Sequence, residues 1–165
     1  MKRIEHEMRY DGATPEQVYA MLGDAAFREE VCEYQHFPRR EVTITPQGSG
    51  TSAGMSVRVD QYRPADDVPG FAKKLVGDEI NILQEEEWSS PTQADLSVTI
   101  PGKPGSMTGT IRLVRDDAGT TEVVSAQVKV NIPLVGGKVE GFIGDMLLRA
   151  LRAENKVGVR WLAGH

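Results

Sequence analysis

Few side chains in this sequence are of the types that carry out chemistry, and their spacing narrows the choice. Glu85, Glu86 and Glu87 stand in a row between Gln84 and Trp88. Successive side chains on a strand point to opposite faces, so three consecutive acids cannot all face inward. Glu86 shares the parity of Ile80, Ile82, Gln84 and Trp88, which places it and Gln84 on the apolar face. A carboxyl in apolar surroundings has a raised pKa and can act as acid or base, or anchor the polar group of a ligand. The competing assignment is a solvated strand edge, or an ion pair with a neighbouring Lys or Arg. His6 shares the apolar parity of Ile4, Met8 and Tyr10, and reads as a hydrogen-bonded core histidine. Cys32 and His36 lie four apart on or near a helix, a spacing that suits two metal ligands or a thiol–imidazole pair. Only His6 and His165 remain as further imidazoles and no acids concentrate nearby, so neither a metal site nor a cysteine nucleophile is assigned. Gly48-Ser49-Gly50 with Gly54 lacks the dinucleotide-binding spacing and joins two predicted strands, which makes it a hairpin. Gly136-Gly137 opens a predicted helix whose first amides suit an anion; the pair also lets the chain turn sharply from strand to helix. No nucleophile elbow, Walker motif, His-Glu-x-x-His or paired-cysteine zinc pattern occurs. The catalytic residues are left unassigned and no cofactor is expected.

The elements that would position these residues follow from periodicity. Residues 3–10 alternate apolar and charged, as a half-buried strand does. Thr14-Pro15-Glu16-Gln17 carries the signature of a capping box, and Gly23 ends the helix it starts. Asp24 suits the cap of a second short helix with Phe27, Val31 and Tyr34 on one side. From about residue 40 the period becomes two. Val42 and Ile44 define one strand and Met55, Val57 and Val59 the next, joined through Pro46–Gly50. After a Pro- and Asp-rich break at 64–70, residues 71–76 read as one or two helical turns closed by Gly77. Strands then follow over Ile80–Trp88, Leu96–Ile100, Gly109–Leu113 and Val124–Ile132, with turns at 101–105 and 116–119. The last segment, Lys138 to about Leu162, is proline-free. Its apolar stripe runs through Val139, Phe142, Ile143, Met146, Leu147, Ala150, Leu151, Ala153 and Val157. Glu140 and the other charges fall largely elsewhere around the helix. A helix of that length spans about 37 Å and must lie across a sheet. Strands with segregated helices make the class α+β.

This order of elements resembles the START-like superfamily of birch-pollen-allergen and polyketide-cyclase folds, over essentially all of residues 1–165 as a single domain. The run Ile132-Pro133-Leu134-Val135-Gly136-Gly137-Lys138-Val139-Glu140 resembles a hallmark of an actinobacterial domain-of-unknown-function family within it. Glu5-His6, Thr14-Pro15-Glu16-Gln17-Val18 and Phe71-Ala72-Lys73-Lys74-Leu75-Val76-Gly77 are similar to that family as well. The resemblance implies a helix-grip fold: a curved antiparallel sheet of six to seven strands wrapped around the long C-terminal helix, with a cavity between them. The inward parity then makes Met8, Val57, Val59, Ile82, Gln84, Glu86, Trp88, Val98, Ile111, Val128, Phe142, Met146 and Ala150 the candidate ligand-binding lining. Phe71 and Leu75 become the candidate entrance. Small residues at Gly109, Ala126, Ala150 and Ala153 leave room for a hollow; the alternative is that the space is filled and these side chains are core.

Composition agrees with a container. The 165 residues carry 19 Lys+Arg against 24 Asp+Glu, a net charge of −5, and so lack the basic balance of nucleic-acid binders. No apolar run reaches the roughly 20 residues of a membrane span. One cysteine excludes an internal disulfide, and a charged N-terminus without an apolar stretch fits a cytoplasmic protein. The expected function is binding of a hydrophobic small molecule or lipid. A cyclase- or hydrolase-type enzyme using Glu86 or His6, and a protein-interaction module with a filled core, are the alternatives.

Overall fold

A computed structural model describes residues 1–49 and 53–165, with all their side chains except that of Leu75. The hairpin expected at Pro46–Gly50 therefore ends at Gly50, outside the described residues. The chain opens with strand β1 (Lys2–Asp11) and two short helices, α1 (Pro15–Leu22) and α2 (Ala25–Tyr34). Strands β2 (Arg39–Gln47) and β3 (Gly54–Pro64) follow, then the short helix α3 (Gly70–Val76). Four strands, β4 (Glu79–Ser90), β5 (Gln93–Thr99), β6 (Ser106–Asp116) and β7 (Gly119–Lys129), lead to the long helix α4 (Gly136–Gly164).

The helix starts obey local chemistry. Thr14 Oγ1 accepts from the Gln17 amide at 3.2 Å while the Gln17 side chain accepts from the Thr14 amide at 2.8 Å, a complete capping box. Asp24 accepts from the Ala26 amide at 2.9 Å and starts α2.

All seven strands form one antiparallel sheet in the order β1-β7-β6-β5-β4-β3-β2. Its registers stack inward-facing residues into rows. One row runs Ile44, Val57, Glu86, Leu96, Gly109, Ala126, Ile4 across the whole sheet. Gly109 is required there: a Cβ would lie 2.1 Å from the Ser125 carbonyl oxygen and 2.7 Å from Ala126 Cα. That close backbone approach is how a sheet bends.

Two boundaries differ from expectation. Strand β7 stops at Lys129 rather than Ile132, because its neighbours end first: β1 begins at Lys2 opposite Val128, and β6 at Ser106 opposite Lys129. The Val130 amide, left without a ladder partner, donates instead to Glu140 Oε2 at 2.9 Å. Glu140, expected on the wet side of the helix, is buried for this reason and also binds the N-terminal ammonium at 2.6 Å. Helix α4 then begins two residues early, at Gly136, after Leu134 turns the chain at a φ of 70°.

Helix α4 lies chiefly against β1, with α2 and β7 next. Its tilt leaves open the space above the middle of the sheet. Among the described residues no helix is long and apolar enough to cross a membrane.

Candidate functional site

The space between α4, α2 and strands β3–β7 is a chamber of about 480 Å³. That lies in the range of about 300–1,000 Å³ typical of small-molecule pockets. Of the residues expected in it, Val59, Ile82, Gln84, Glu86, Val98, Ile111, Met146 and Ala150 line it, joined by Leu96, Met107, Val124, Ile143, Leu147 and Leu151. The others lie elsewhere. Met8 and Val128 are wholly buried on β1 and β7, the strands on which α4 rests. Val57 is core beside Glu86, and Trp88 is covered by α1, its ring edge-on to Tyr19 at 5.5 Å. Phe142 turns towards α3, where it meets Phe71 edge-on at 6.3 Å. Phe71 therefore belongs to a satellite contact beside the small core of Ala65, Val68, Ala72, Val76 and Ile80, rather than to the chamber wall. The side chain of Leu75 lies outside what is described. The 64–70 break does reach the chamber, through Asp67.

The closed end of the chamber is charged. Glu86 is 2% exposed and accepts four hydrogen bonds. Arg28, 4% exposed, grips it with both terminal nitrogens at 2.8 and 2.9 Å, Trp88 Nε1 donates at 2.9 Å and Gln84 Nε2 at 2.6 Å. Arg28 Nε donates to the Leu22 carbonyl at 2.8 Å, which ties the guanidinium to the end of α1. Burial alone would raise the Glu86 pKa. The adjacent Arg28 charge and these hydrogen bonds outweigh it and hold the carboxyl below its ordinary range. The raised pKa expected from the sequence is thus reversed. Glu86 is a fixed anion with its acceptor positions filled, unsuited to proton transfer.

Two further acids complete the cluster. Glu122 on β7 and Glu154 on α4 are 1% and 7% exposed and both line the chamber. Burial, followed by the charges of Glu154 and Glu86, pushes Glu122 well above the carboxylate range. Burial also raises Glu154, to about 7, against the opposing pull of Arg28. The two carboxyls hydrogen-bond to each other, the neutral Glu122 donating and Glu154 accepting. Among the described residues, Oε1 of each takes no donor from any other residue.

The remaining candidates separate from this cluster. His6 is half-buried on β1, its pKa lowered by burial and by Arg152, and it does not line the chamber. Cys32 is buried, donates to Gln61 Oε1 at 3.4 Å and has its thiol pushed up to about 11 by burial, so it is unreactive. His36 is exposed at the rim with a φ of 63°. Among the described residues no three His, Cys, Asp or Glu side chains converge as metal ligands do.

Sequence reasoning missed Arg28, Glu122 and Glu154, though two had a signal. Glu122 continues the inward parity of Val124, Ala126 and Val128. Glu154 falls on the buried stripe of Leu147 and Leu151.

A seven-stranded sheet gripping one long helix, with two short helices after the first strand, defines a helix-grip fold. Solved structures of that fold are similar across nearly the whole chain. The Zhui aromatase/cyclase from Streptomyces sp. R1128 is 14% identical with a TM-score of 0.58, covering 96% of this chain and 91% of that one. Ara h 8.0201 is 13% identical with a TM-score of 0.59, covering 94% and 95%. At such identities the likeness concerns the fold. Within that class, the chain belongs to the family described as "Protein of unknown function (DUF2505)", whose model matches residues 5–162. The uncharacterized protein Rv0481c of Mycobacterium tuberculosis is 24% identical over 123 residues, 71% of each chain.

Proposed function

We propose that this protein binds a hydrophobic small molecule or lipid between the sheet and α4, with Val59, Ile82, Val98, Ile111, Met146 and Ala150 touching its apolar body and its polar end directed to the charged closed end of the chamber, where Gln84 and Glu86 lie. The observation that carries this is the chamber itself: about 480 Å³, walled by aliphatic side chains and ending on buried charged groups. A few convergent polar groups in an apolar hollow are the usual makeup of a ligand site. The sheet's outer face supports a container over a docking module, since Glu5, Glu85, Glu87, Asp95, Thr108, Thr110, Ser125 and Gln127 make it polar. The test is solvent extraction and mass spectrometry of the protein purified from its native host, with a thermal-shift screen of a lipid panel. A stoichiometric apolar molecule and a rise in Tm are expected. No bound molecule and no shift across the panel would sink the reading.

One observation favours an enzymatic version. Glu154 titrates at about 7, faces the chamber and accepts from a neutral carboxyl, as a general base near neutrality does. If a reaction akin to that of an aromatase/cyclase occurs here, Glu154→Gln lowers turnover of bound substrate by far more than it weakens binding. Equal loss of both would assign Glu154 to binding alone.

A further inference from the structure

The closed end of the chamber is neutral only while Glu122 and Glu154 both hold protons. Three carboxyls, Glu86, Glu122 and Glu154, surround one guanidinium, and Arg28 is already engaged through Nε with Leu22 and through both terminal nitrogens with Glu86. Among the described residues, Oε1 of Glu122 and Oε1 of Glu154 take no hydrogen bond from any other residue, although buried polar groups ordinarily find partners. Tyr10, whose hydroxyl is buried nearby beside Asn155, adds no charge. The exposed cations of the lining, Arg149, Arg152 and Lys156, stand at solvent-exposed positions on α4 and do not pair with these acids. The wall between is aliphatic, and no metal-type ligand cluster exists among the described residues, so the complementary cation is an organic one.

Resting on the binding reading above, we infer that the ligand carries a basic nitrogen on an apolar body, and that its ammonium group sits between Glu122 and Glu154. An ammonium offers up to three donors to oxygens that lack them, and its charge takes the place of the protons these carboxyls otherwise hold. A hydroxyl supplies one donor and no charge. A carboxylate meets like charge at this end, and is confined to the cationic rim. The nitrogen enters with its apolar tail on Ile111, Val124 and Ile143. Glu86 and Arg28 stay locked to each other throughout.

The experiment compares three molecules of one chain length, decylamine, decanol and decanoate, as competitors for the neutral probe N-phenyl-1-naphthylamine on the purified chain. Decylamine is expected to displace the probe at least about tenfold more tightly than decanol, the size of one charge-assisted contact. In the Glu122→Gln/Glu154→Gln double variant that preference falls below about threefold, while decanoate is unaffected. Circular dichroism and probe binding by the variant establish that it is folded. Equal displacement by amine and alcohol, or a preference that survives in the double variant, overturns the inference and leaves the chamber a general apolar site. Failure of the probe and of all three molecules to bind overturns the binding reading as well.

Discussion

At the scale of single residues, Arg28 keeps Glu86 charged in a place where a lone carboxylate would be neutral. Replacing one partner of such a pair strands the other without solvent, which costs about 3–5 kcal/mol, whereas replacing both with apolar groups is often tolerated. Arg28→Met is therefore expected to lower stability by about that amount in urea unfolding, and Arg28→Met/Glu86→Leu to recover most of the loss. If the double variant is no better than the single, the charge is not what destabilises it. Glu154 acts in the opposite direction. Its pKa rises from an ordinary 4.5 to about 7 in the folded chain. A folded state that holds its proton more tightly is most favoured at low pH, so this contribution is present below about pH 4.5 and disappears as pH climbs through about 7. Stability should thus fall by on the order of 2–3 kcal/mol over that window from Glu154 alone, and Glu154→Gln should make the fall shallower while the part due to Glu122, raised in the same direction, remains. Urea midpoints at pH 5, 6, 7 and 8 measure it; a wild-type profile that is flat or rises there contradicts the assignment. The inward parity of Glu86 was legible in the sequence because strand geometry dictates it. Its locking was not legible, because the guanidinium that holds it lies 58 residues away in the chain, on a helix face read as Phe27, Val31 and Tyr34.

At the scale of elements, α4 sits asymmetrically on the sheet, and glycines determine how. Its buried side passes through Glu140, Gly144, Leu147, Leu151, Glu154 and Gly158, spaced by three and four. Gly144 lies against Ile4 and Gly158 against Tyr10, so the helix closes down on β1. The neighbouring stripe of Ile143, Met146 and Ala150 is held off the sheet and roofs the chamber. A Cβ at Gly158 would come 2.7 Å from Tyr10 Cε1 and 3.1 Å from Met21 Cε, and both side chains are fully enclosed. Gly158→Ala gains about 1 kcal/mol of helix propensity but incurs overpacking of about 1–3 kcal/mol, and should destabilise on balance. Gly141→Ala meets nothing within 4 Å and should stabilise by up to about 1 kcal/mol. Urea midpoints that move in the same direction for both variants would refute the close approach. The sequence pattern located this helix and its apolar breadth. It could not separate the closed side from the open one, because leucines and other apolar residues run along both, and the close approach is marked by Gly144 and Gly158. The same limit put Met8 and Val128 in the predicted lining: parity says that a side chain faces inward, and the tilt of the helix decides whether it meets a neighbour or a void.

At the scale of the whole molecule, the chain leaves a hollow where a domain of this size would ordinarily place its densest packing. Protein interiors are close-packed, and every wall atom facing a void forgoes contacts it would otherwise make. A chamber kept at that cost is what a binding protein needs and what stability alone would remove. Ala150 is the place to test this, since it faces the chamber from the roof and is small. Ala150→Phe puts an aromatic ring into the void without touching the Arg28–Glu86 pair or the glycine contacts with β1. Added burial of apolar surface should raise stability by about 1 kcal/mol, a Tm increase of about 2–4 °C for a chain of this length. The same ring occupies space that the ligand would fill, so N-phenyl-1-naphthylamine affinity should fall at least about tenfold. The two readouts must move in opposite directions. A variant that loses stability and probe binding together would mean that the space is too small to accept a ring and is ordinary core. One that gains stability and keeps the probe would mean that the probe sits elsewhere on the molecule. Only a rise in Tm together with a loss of binding is the behaviour of a functional cavity.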